Sequence, residues 1–272
     1  MSKNKIEKLS GLVVITGASS GIGLELAKLA ARDGCDLILA ADRDLSEAAA
    51  AARANGATNV ETLNVDLALR DGLIKLMELI GDRPVDTLMA NAGHGQGDAF
   101  FDQEWGDIAH VIHTNITGTV SLIHMIGKKM RARDQGRILV TGSIAGHMPG
   151  AFQLVYNSTK AFIDDFVVGL DEELKDSNVV VTCLLPGVTD TQFFKRAEML
   201  DTMVGQSDSK DDPAKVARDG YEALLAGETQ VASGLMNKIQ STFADLLPDE
   251  LVAKMHRRMA EPQSHKERAE TD

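Results

Sequence analysis

Between Gly11 and about Pro186 the chain alternates two textures, and this alternation restricts the fold more than any other feature. Short apolar runs occur at Leu12–Ile15, Leu37–Ala41, Val60–Asn64, Thr87–Ala90, Arg137–Thr141 and Val179–Leu185. Longer stretches with helical spacing separate them, such as Ile22–Arg32, Leu45–Asn55 and Leu69–Ile80. A strand without polar alternation is covered on both faces, which suits a parallel sheet. Strand and helix in turn predict an α/β fold with a right-handed, doubly wound parallel sheet, Rossmann-like in kind.

Two later helices are longer, roughly Trp105–Arg133 and Tyr156–Asp176. In the first, Ile108, Val111, Ile112, Ile116, Val120 and Ile123 recur mostly three or four apart, so one face is expected to be buried. In the second, Phe162, Phe166, Leu170 and Leu174 recur every four residues, a stripe that suits either the sheet or a partner subunit. After Pro186 the texture changes. Gln192 to Gly205 is amphipathic and rich in Phe and Met, and Asp211-Asp212-Pro213 reads as a helix start. Gln230–Ala232 is a candidate last strand. The tail from about Asn237 to Asp272 reads as helical, broken at Pro248, with a polar end from Glu261. With no internal repeat or linker, the reading is one domain over residues 1–272. It has a lid-like insertion at about 192–228 and a C-terminal extension at about 237–272.

The formal charge of −12 disfavours nucleic acid and anionic membrane, which need clustered Lys and Arg. Two cysteines, Cys35 and Cys183, are too few for a disulfide framework and read as buried reduced thiols. Met1–Ser10 is polar and lysine-rich, without a secretory h-region, and no apolar stretch is long enough to span a bilayer. A cytoplasmic location is expected.

Directly after the first strand comes Thr16-Gly17-Ala18-Ser19-Ser20-Gly21-Ile22-Gly23, which opens an amphipathic helix. Such a turn lets backbone N–H groups approach a pyrophosphate, and the helix N-terminus adds positive potential. An unliganded tight turn is the plain alternative, and the position on the first strand of a βα series counts against it. After the second strand, Asp42 suits the 2′-hydroxyl of NAD, whereas Arg43 suits the 2′-phosphate of NADP. A solvated Asp-Arg turn is the bland reading, and the balance leans to NAD. Asp66, beside Leu67, closes the third strand either as an acceptor for the adenine amino group or as the N-cap of the next helix. Asn91-Ala92-Gly93 ends the fourth, where glycine permits a flat ligand to approach and Asn91 braces the backbone.

The strongest chemical signal is Tyr156-Asn157-Ser158-Thr159-Lys160. Tyrosine and lysine four apart share a helix face. A free tyrosine has a pKa near ~10, and a nearby cation draws it toward the working range of a general acid or base. Ser143, thirteen residues earlier at a strand end, is placed to polarise the same substrate oxygen. A hydrolase-type Ser143 nucleophile lacks the G-x-S-x-G elbow.

With these motifs in order, the chain resembles the short-chain dehydrogenase/reductase family in its single-domain, NAD(P)-dependent branch. The family's T-G-x-x-x-G-x-G matches Thr16 to Gly23, N-A-G matches Asn91 to Gly93, and Ser…Y-x-x-x-K matches Ser143, Tyr156 and Lys160. P-G-x-x-x-T matches Pro186, Gly187 and Thr191, so the likeness runs from Gly11 to about Thr191. The resemblance implies that Asn115, in Thr114-Asn115-Ile116-Thr117-Gly118, corresponds to the family's active-site asparagine and holds a water in a proton path. It further implies that Tyr156 and Lys160 contact the cofactor, Lys160 through the nicotinamide ribose. Pro186, Gly187, Thr189 and Thr191 would hold the carboxamide. The family's NAD-selecting acid usually sits where Ala41 lies and its NADP-selecting arginine where Asp42 lies, a departure that leaves cofactor choice open.

His94, His147 and Gln153 are expected to border a substrate pocket with Ser143. Phe193, Phe194, Met199, Leu200 and Met203 are expected to wall it, predicting an alcohol or ketone with apolar bulk. His110, His113 and His124 lack the carboxylates and spacing of a metal site, so no metal is expected. The implied function is hydride transfer between a nicotinamide and a secondary alcohol or ketone, and family analogy implies a homodimer or homotetramer. Two alternatives stand beside it: a silent cofactor-binding regulator on the same fold, and an epimerase or dehydratase using transient oxidation.

Overall fold

A computed structural model describes residues 5–207, 209–234 and 247–263. Seven strands form one sheet: β1 Leu12–Thr16, β2 Asp36–Ala41, β3 Val60–Asn64, β4 Val85–Ala90, β5 Gly136–Thr141, β6 Val179–Leu185 and β7 Gln230–Ala232. Their order is β3-β2-β1-β4-β5-β6-β7, and every neighbouring pair is parallel. β1, β5 and β6 are buried almost throughout, because helices cover both faces. The six apolar runs of the sequence are β1 to β6, and the short patch at Gln230 is the parallel edge strand β7.

The helices are α1 Gly21–Arg32, α2 Ser46–Ala54, α3 Arg70–Ile80, α4 Trp105–Ile112, α5 Thr119–Ala132, α6 Leu154–Glu173, α7 Phe193–Arg196, α8 Pro213–Ala226 and α9 Asp249–Ala260. On one face of the sheet, Leu122, Ile126, Ile163 and Val167 pack against Leu88, Ile138 and Val181. On the other, Leu26, Ala30, Val216 and Leu224 pack against Val13, Leu39 and Val180. Cys35 and Cys183 are buried free thiols. At the start of α8, Asp212 accepts a hydrogen bond from the Ala214 amide at 2.9 Å and Pro213 occupies the first turn, as the sequence led one to expect.

The helices correct one expectation and bear on two alternatives that the sequence left open. The single helix expected over Trp105–Arg133 is divided by one π-helical turn, His113–Gly118, between α4 and α5. The four-residue stripe of α6, which the sequence left between the sheet and a partner, is divided: Leu174 is buried in the core on the sheet, and Phe166 and Leu170 pack against that core from partly buried positions. Phe162 is 45% exposed and stacks on Phe166, while the inward face carries Asn157, Lys160, Ile163, Asp164 and Val167. Asp66 is not the N-cap of α3, a position held by Leu69; its carboxylate instead accepts from the Ala68 amide at 2.8 Å. Of the helical tail, α9 is described, and the stretches on either side of it at 235–246 and 264–272 lie outside the described residues. Among the described residues, no helix is long and apolar enough to cross a membrane.

Candidate active site

The strand order reverses direction between β1 and β4, and a cleft opens at the carboxyl ends of the strands there, where doubly wound sheets bind their ligands. One end of the cleft is the glycine turn. Gly17 has φ +62°, and a Cβ on it would stand 2.9 Å from the Ala92 Cα. A Cβ on Gly23 would stand 2.3 Å from the Gly17 carbonyl oxygen, so α1 reaches this close to β1 only without side chains. Ser20 is the N-cap of α1 with extended backbone and no side-chain cap bond, and the first turn carries no acid. The positive end of α1 is therefore free to meet an anion in the cleft.

Asn91 ties three strand ends together. Its backbone N–H donates to Thr16 Oγ1 at 3.1 Å, and its Nδ2 donates to the Thr16 and Gly17 carbonyls at 3.3 Å. Its Oδ1 accepts from Thr141 Oγ1 at 3.0 Å. The Thr141 carbonyl in turn accepts from Lys160 Nζ at 2.7 Å. One chain of bonds thus runs from the glycine turn to the lysine.

Lys160 lies 5.9 Å from the Tyr156 ring centroid, and Ser143 and Tyr156 line the cleft beside it. Burial pushes the Tyr156 phenol up to about 12, and its hydrogen bond with Ser143 works in the opposite direction. Burial also lowers the Lys160 ammonium from its usual value. Ser143 is fixed as well: its Oγ accepts from the Ala145 amide at 3.1 Å and donates toward the Pro186 carbonyl at 3.5 Å. Asn115 lies on the π-helical turn, behind Gly93. Its Nδ2 donates to the His94 carbonyl and to Thr159 Oγ1, both at 2.9 Å, and its Oδ1 accepts from the His94 amide at 2.8 Å. It therefore clamps the Asn91-Ala92-Gly93 loop to the helix that carries Tyr156. A π-turn is a common device for aiming a side chain inward at a functional site.

Gly17, Ser20, Gly21, Ile22, Asn91 and Gly93 line the glycine-turn end of the cleft. Pro186, Gly187, Thr189 and Thr191 line its middle, and Ser19 and Ala92 are at its edge without lining it. Asp42, Arg43, Asp66 and Leu67 are further along the same rim, at the ends of β2 and β3, outside the cleft lining. Asp42 and Arg43 are exposed and pair with each other at 3.8 Å. Asp66 pairs with His110 at 3.2 Å, and the His110 ring meets His94 edge-on at 5.0 Å.

At the substrate end, His94, Gln153 and Phe193 line the cleft, with the Phe193 ring 5.0 Å from that of Tyr156. Two expected pocket residues do not line it. His147 is half-buried beside the lining. Met199 is fully buried behind it, accepting a contact from Gln153 Nε2 at 2.9 Å. Of the expected lid wall, Phe194 lines the cleft, whereas Leu200 and Met203 face outward. The missing wall comes from α9, through His256, Met259 and Ala260. His256 donates from Nδ1 to the Ala151 carbonyl at 3.0 Å and accepts at Nε2 from Asn157 Nδ2 at 3.2 Å, which anchors α9 to the residue after the tyrosine. The tail's helical pattern was legible, but nothing in it pointed to the cleft.

Comparison with known proteins agrees with this architecture. The family model for short chain dehydrogenase matches residues 11–200. A short-chain dehydrogenase from Sphingobium yanoikuyae in complex with NADPH is 29% identical, with a TM-score of 0.77 over 87% of this chain and 94% of that one. An uncharacterized oxidoreductase from Myxococcus xanthus (strain DK1622) is 28% identical over 256 residues, 90% of this chain and 96% of the relative. A serine 3-dehydrogenase from Agrobacterium fabrum is 31% identical over 188 residues, 68% of this chain and 74% of the relative.

Proposed function

This chain belongs to the short-chain dehydrogenase family and is an NAD(P)-dependent oxidoreductase of alcohol and carbonyl groups, and we propose that it interconverts a secondary alcohol and a ketone through Ser143, Tyr156, Lys160 and Asn115. The observation that carries this reading is the meeting of Ser143, Tyr156 and Lys160 on one wall of a cleft whose other end is the glycine turn.

The residues present fit a dinucleotide. The uncapped start of α1 suits its pyrophosphate, and Gly93 leaves the space beside Lys160 open, since a Cβ there would stand 3.5 Å from Nζ. Gly17, Ser19, Ser20, Gly21, Ile22 and Gly23 would hold the pyrophosphate. Asp66, Leu67, Asn91, Ala92 and Gly93 would flank the adenosine, with Pro186, Gly187, Thr189 and Thr191 around the carboxamide. The bound nicotinamide supplies a hydride donor or acceptor at its C4.

Ser143 donates a hydrogen bond to the reacting oxygen and orients it. Tyr156 Oη takes the hydroxyl proton in oxidation and returns one to the carbonyl oxygen in reduction. A phenol near 12 is a weak base at neutral pH, so Lys160 must stay charged and close for the phenolate to form. The Thr141 carbonyl holds that ammonium in place, and Asn115 fixes the helix turn around it. Phe193, Phe194, Met259 and Ala260 give the substrate end an apolar wall, which favours a substrate with apolar bulk. Around the adenosine ribose, Asp42 favours the 2′-hydroxyl of NAD and Arg43 the 2′-phosphate of NADP. A homodimer or homotetramer is part of the same reading, supported by the exposed Phe162 of α6 and by Trp105, 70% exposed at the start of α4.

The test is Tyr156→Phe, assayed on a panel of alcohols and ketones with both cofactors. A turnover loss of ~10²–10⁴-fold is expected, with cofactor binding retained. Near-normal turnover by this variant would refute the mechanism.

A further inference from the structure

The lid meets the glycine turn directly, and it does so with a cation. Thr191 packs on Gly21, where a Cβ would stand 2.9 Å from the threonine methyl. Five residues later, Arg196 Nη2 donates to Ser20 Oγ at 3.0 Å, joining positions 176 residues apart. Among the described residues, the buried Arg196 Nε has no hydrogen-bond partner. A guanidinium that leaves a buried donor unsatisfied while another meets a neutral hydroxyl suits an anion with several acceptor oxygens.

The surroundings indicate which anion. Arg196 feels the positive charge of Arg43 and the negative charge of Asp42, both on the turn that follows β2. Two guanidinium groups therefore share this corner with one carboxylate, and Asp42 is already paired with Arg43 at 3.8 Å. Like charges brought together without an anion repel one another, and the excess is one positive charge. The corner is at the ends of β1 and β2, where the adenosine ribose of a dinucleotide would be placed. A lone Asp42 would favour a free 2′-hydroxyl. A second cation arriving from the lid reverses that balance.

We propose that Arg196, acting with Arg43 and Ser20, is the receptor for the 2′-phosphate of NADP(H), so that the chain prefers the phosphorylated cofactor and its lid is fastened by it. The assignment rests on the reading that a dinucleotide occupies this cleft. Arg196 would supply guanidinium donors to the phosphate, and Arg43 a second positive charge. The Ser20 hydroxyl now bonded to Arg196 becomes a third ligand. Because α7 also carries Phe193, the group that recognises the phosphate and the ring that packs on Tyr156 move as one short helix.

The experiment is a direct binding titration of the purified protein with NADPH, NADH, 2′,5′-ADP and 5′-AMP, repeated for Arg196→Gln and Arg196→Lys. The wild-type protein is expected to bind NADPH at least tenfold tighter than NADH. Arg196→Gln should lose at least tenfold for NADPH and 2′,5′-ADP and less than threefold for NADH and 5′-AMP, with Arg196→Lys in between. Equal losses for NADPH and NADH would mean that Arg196 holds the diphosphate, and would overturn the assignment. So would unchanged affinities, or a preference for NADH in the wild type. If the wild type bound neither dinucleotide, the underlying cofactor reading would fail with it, which the other outcomes do not imply. Unfolding midpoints of the variants, measured without ligand, show whether either has lost its fold.

Discussion

Replacing Asp164 with asparagine makes the most direct demand on the structure. Asp164 follows Lys160 by one helical turn and is 4% exposed. Its carboxyl group fills a slot that exists only because positions 142 and 146 are glycine. A Cβ on Gly142 would stand 1.9 Å from Oδ1, and one on Gly146 2.4 Å from Oδ2. Oδ1 has the Cys183 thiol at 3.5 Å, and Oδ2 has no hydrogen-bond partner among the described residues. Burial therefore pushes the group from 3.8 up to about 7, against the pull of Lys160, Cys183 and His147. A folded-state pKa above the unfolded one means that the native protein holds the extra proton between these values. The contribution of this carboxyl group to stability is then full below about pH 4 and is lost as pH rises through about 7. At ~1.4 kcal/mol for each tenfold in proton affinity, the fall amounts to ~4 kcal/mol, an upper figure because Lys160 titrates in the same cluster. Asparagine has the same shape and never ionises. Urea unfolding of both proteins at pH 5 and pH 8 should show a steep loss in the wild type and a much smaller one in Asp164→Asn. Parallel losses in the two proteins would refute the claim that this carboxyl is buried and protonated in the native state.

Two further outcomes follow from single contacts. Gly23→Ala places a methyl carbon 2.3 Å from the Gly17 carbonyl oxygen, so α1 must shift; a loss of dinucleotide affinity of at least tenfold, read by titration, is expected, with a destabilisation of ~1–3 kcal/mol. Burial holds His256 below its usual range, neutral between Ala151 and Asn157. The unfolded chain therefore takes up the proton first, and stability drops as pH falls below ~6.5. His256→Gln should shrink the drop in melting temperature between pH 7 and pH 5.

Much of the fold was legible because strands buried on both faces have few ways to look otherwise. β3, β6 and β7 begin and end where their runs do, and the other strands and early helices differ at their ends by one or two residues. The π-helical turn was not legible. His113–Gly118 has ordinary helical spacing, and the bonds that Asn115 makes from this turn reach His94 and Thr159, neither of them close in sequence. The spacing of α6 left its stripe open between sheet and partner, and it gave no sign that Asn157, Lys160 and Asp164 share the buried face with Ile163 and Val167.

The candidate site divides along the same line. Residues that touch their partners through the first turn of a helix or the end of a strand, such as Gly17, Ser143, Tyr156 and Lys160, announce themselves by local spacing. Those that arrive from the far end of the chain do not. Arg196 reads as one more charge on an amphipathic lid until it is found on Ser20, and His256 as one more helix histidine until it is found against Asn157. Met199 shows the converse: an apolar residue in the right segment that packs behind the wall and not on it. In the proposed reading the strand ends hold the reacting atoms, and choice among cofactors and substrates falls to α7 and α9. The motifs lie in the first two thirds of the chain and are legible there, while the contacts that would select a molecule come from the last third, where spacing alone does not reveal them.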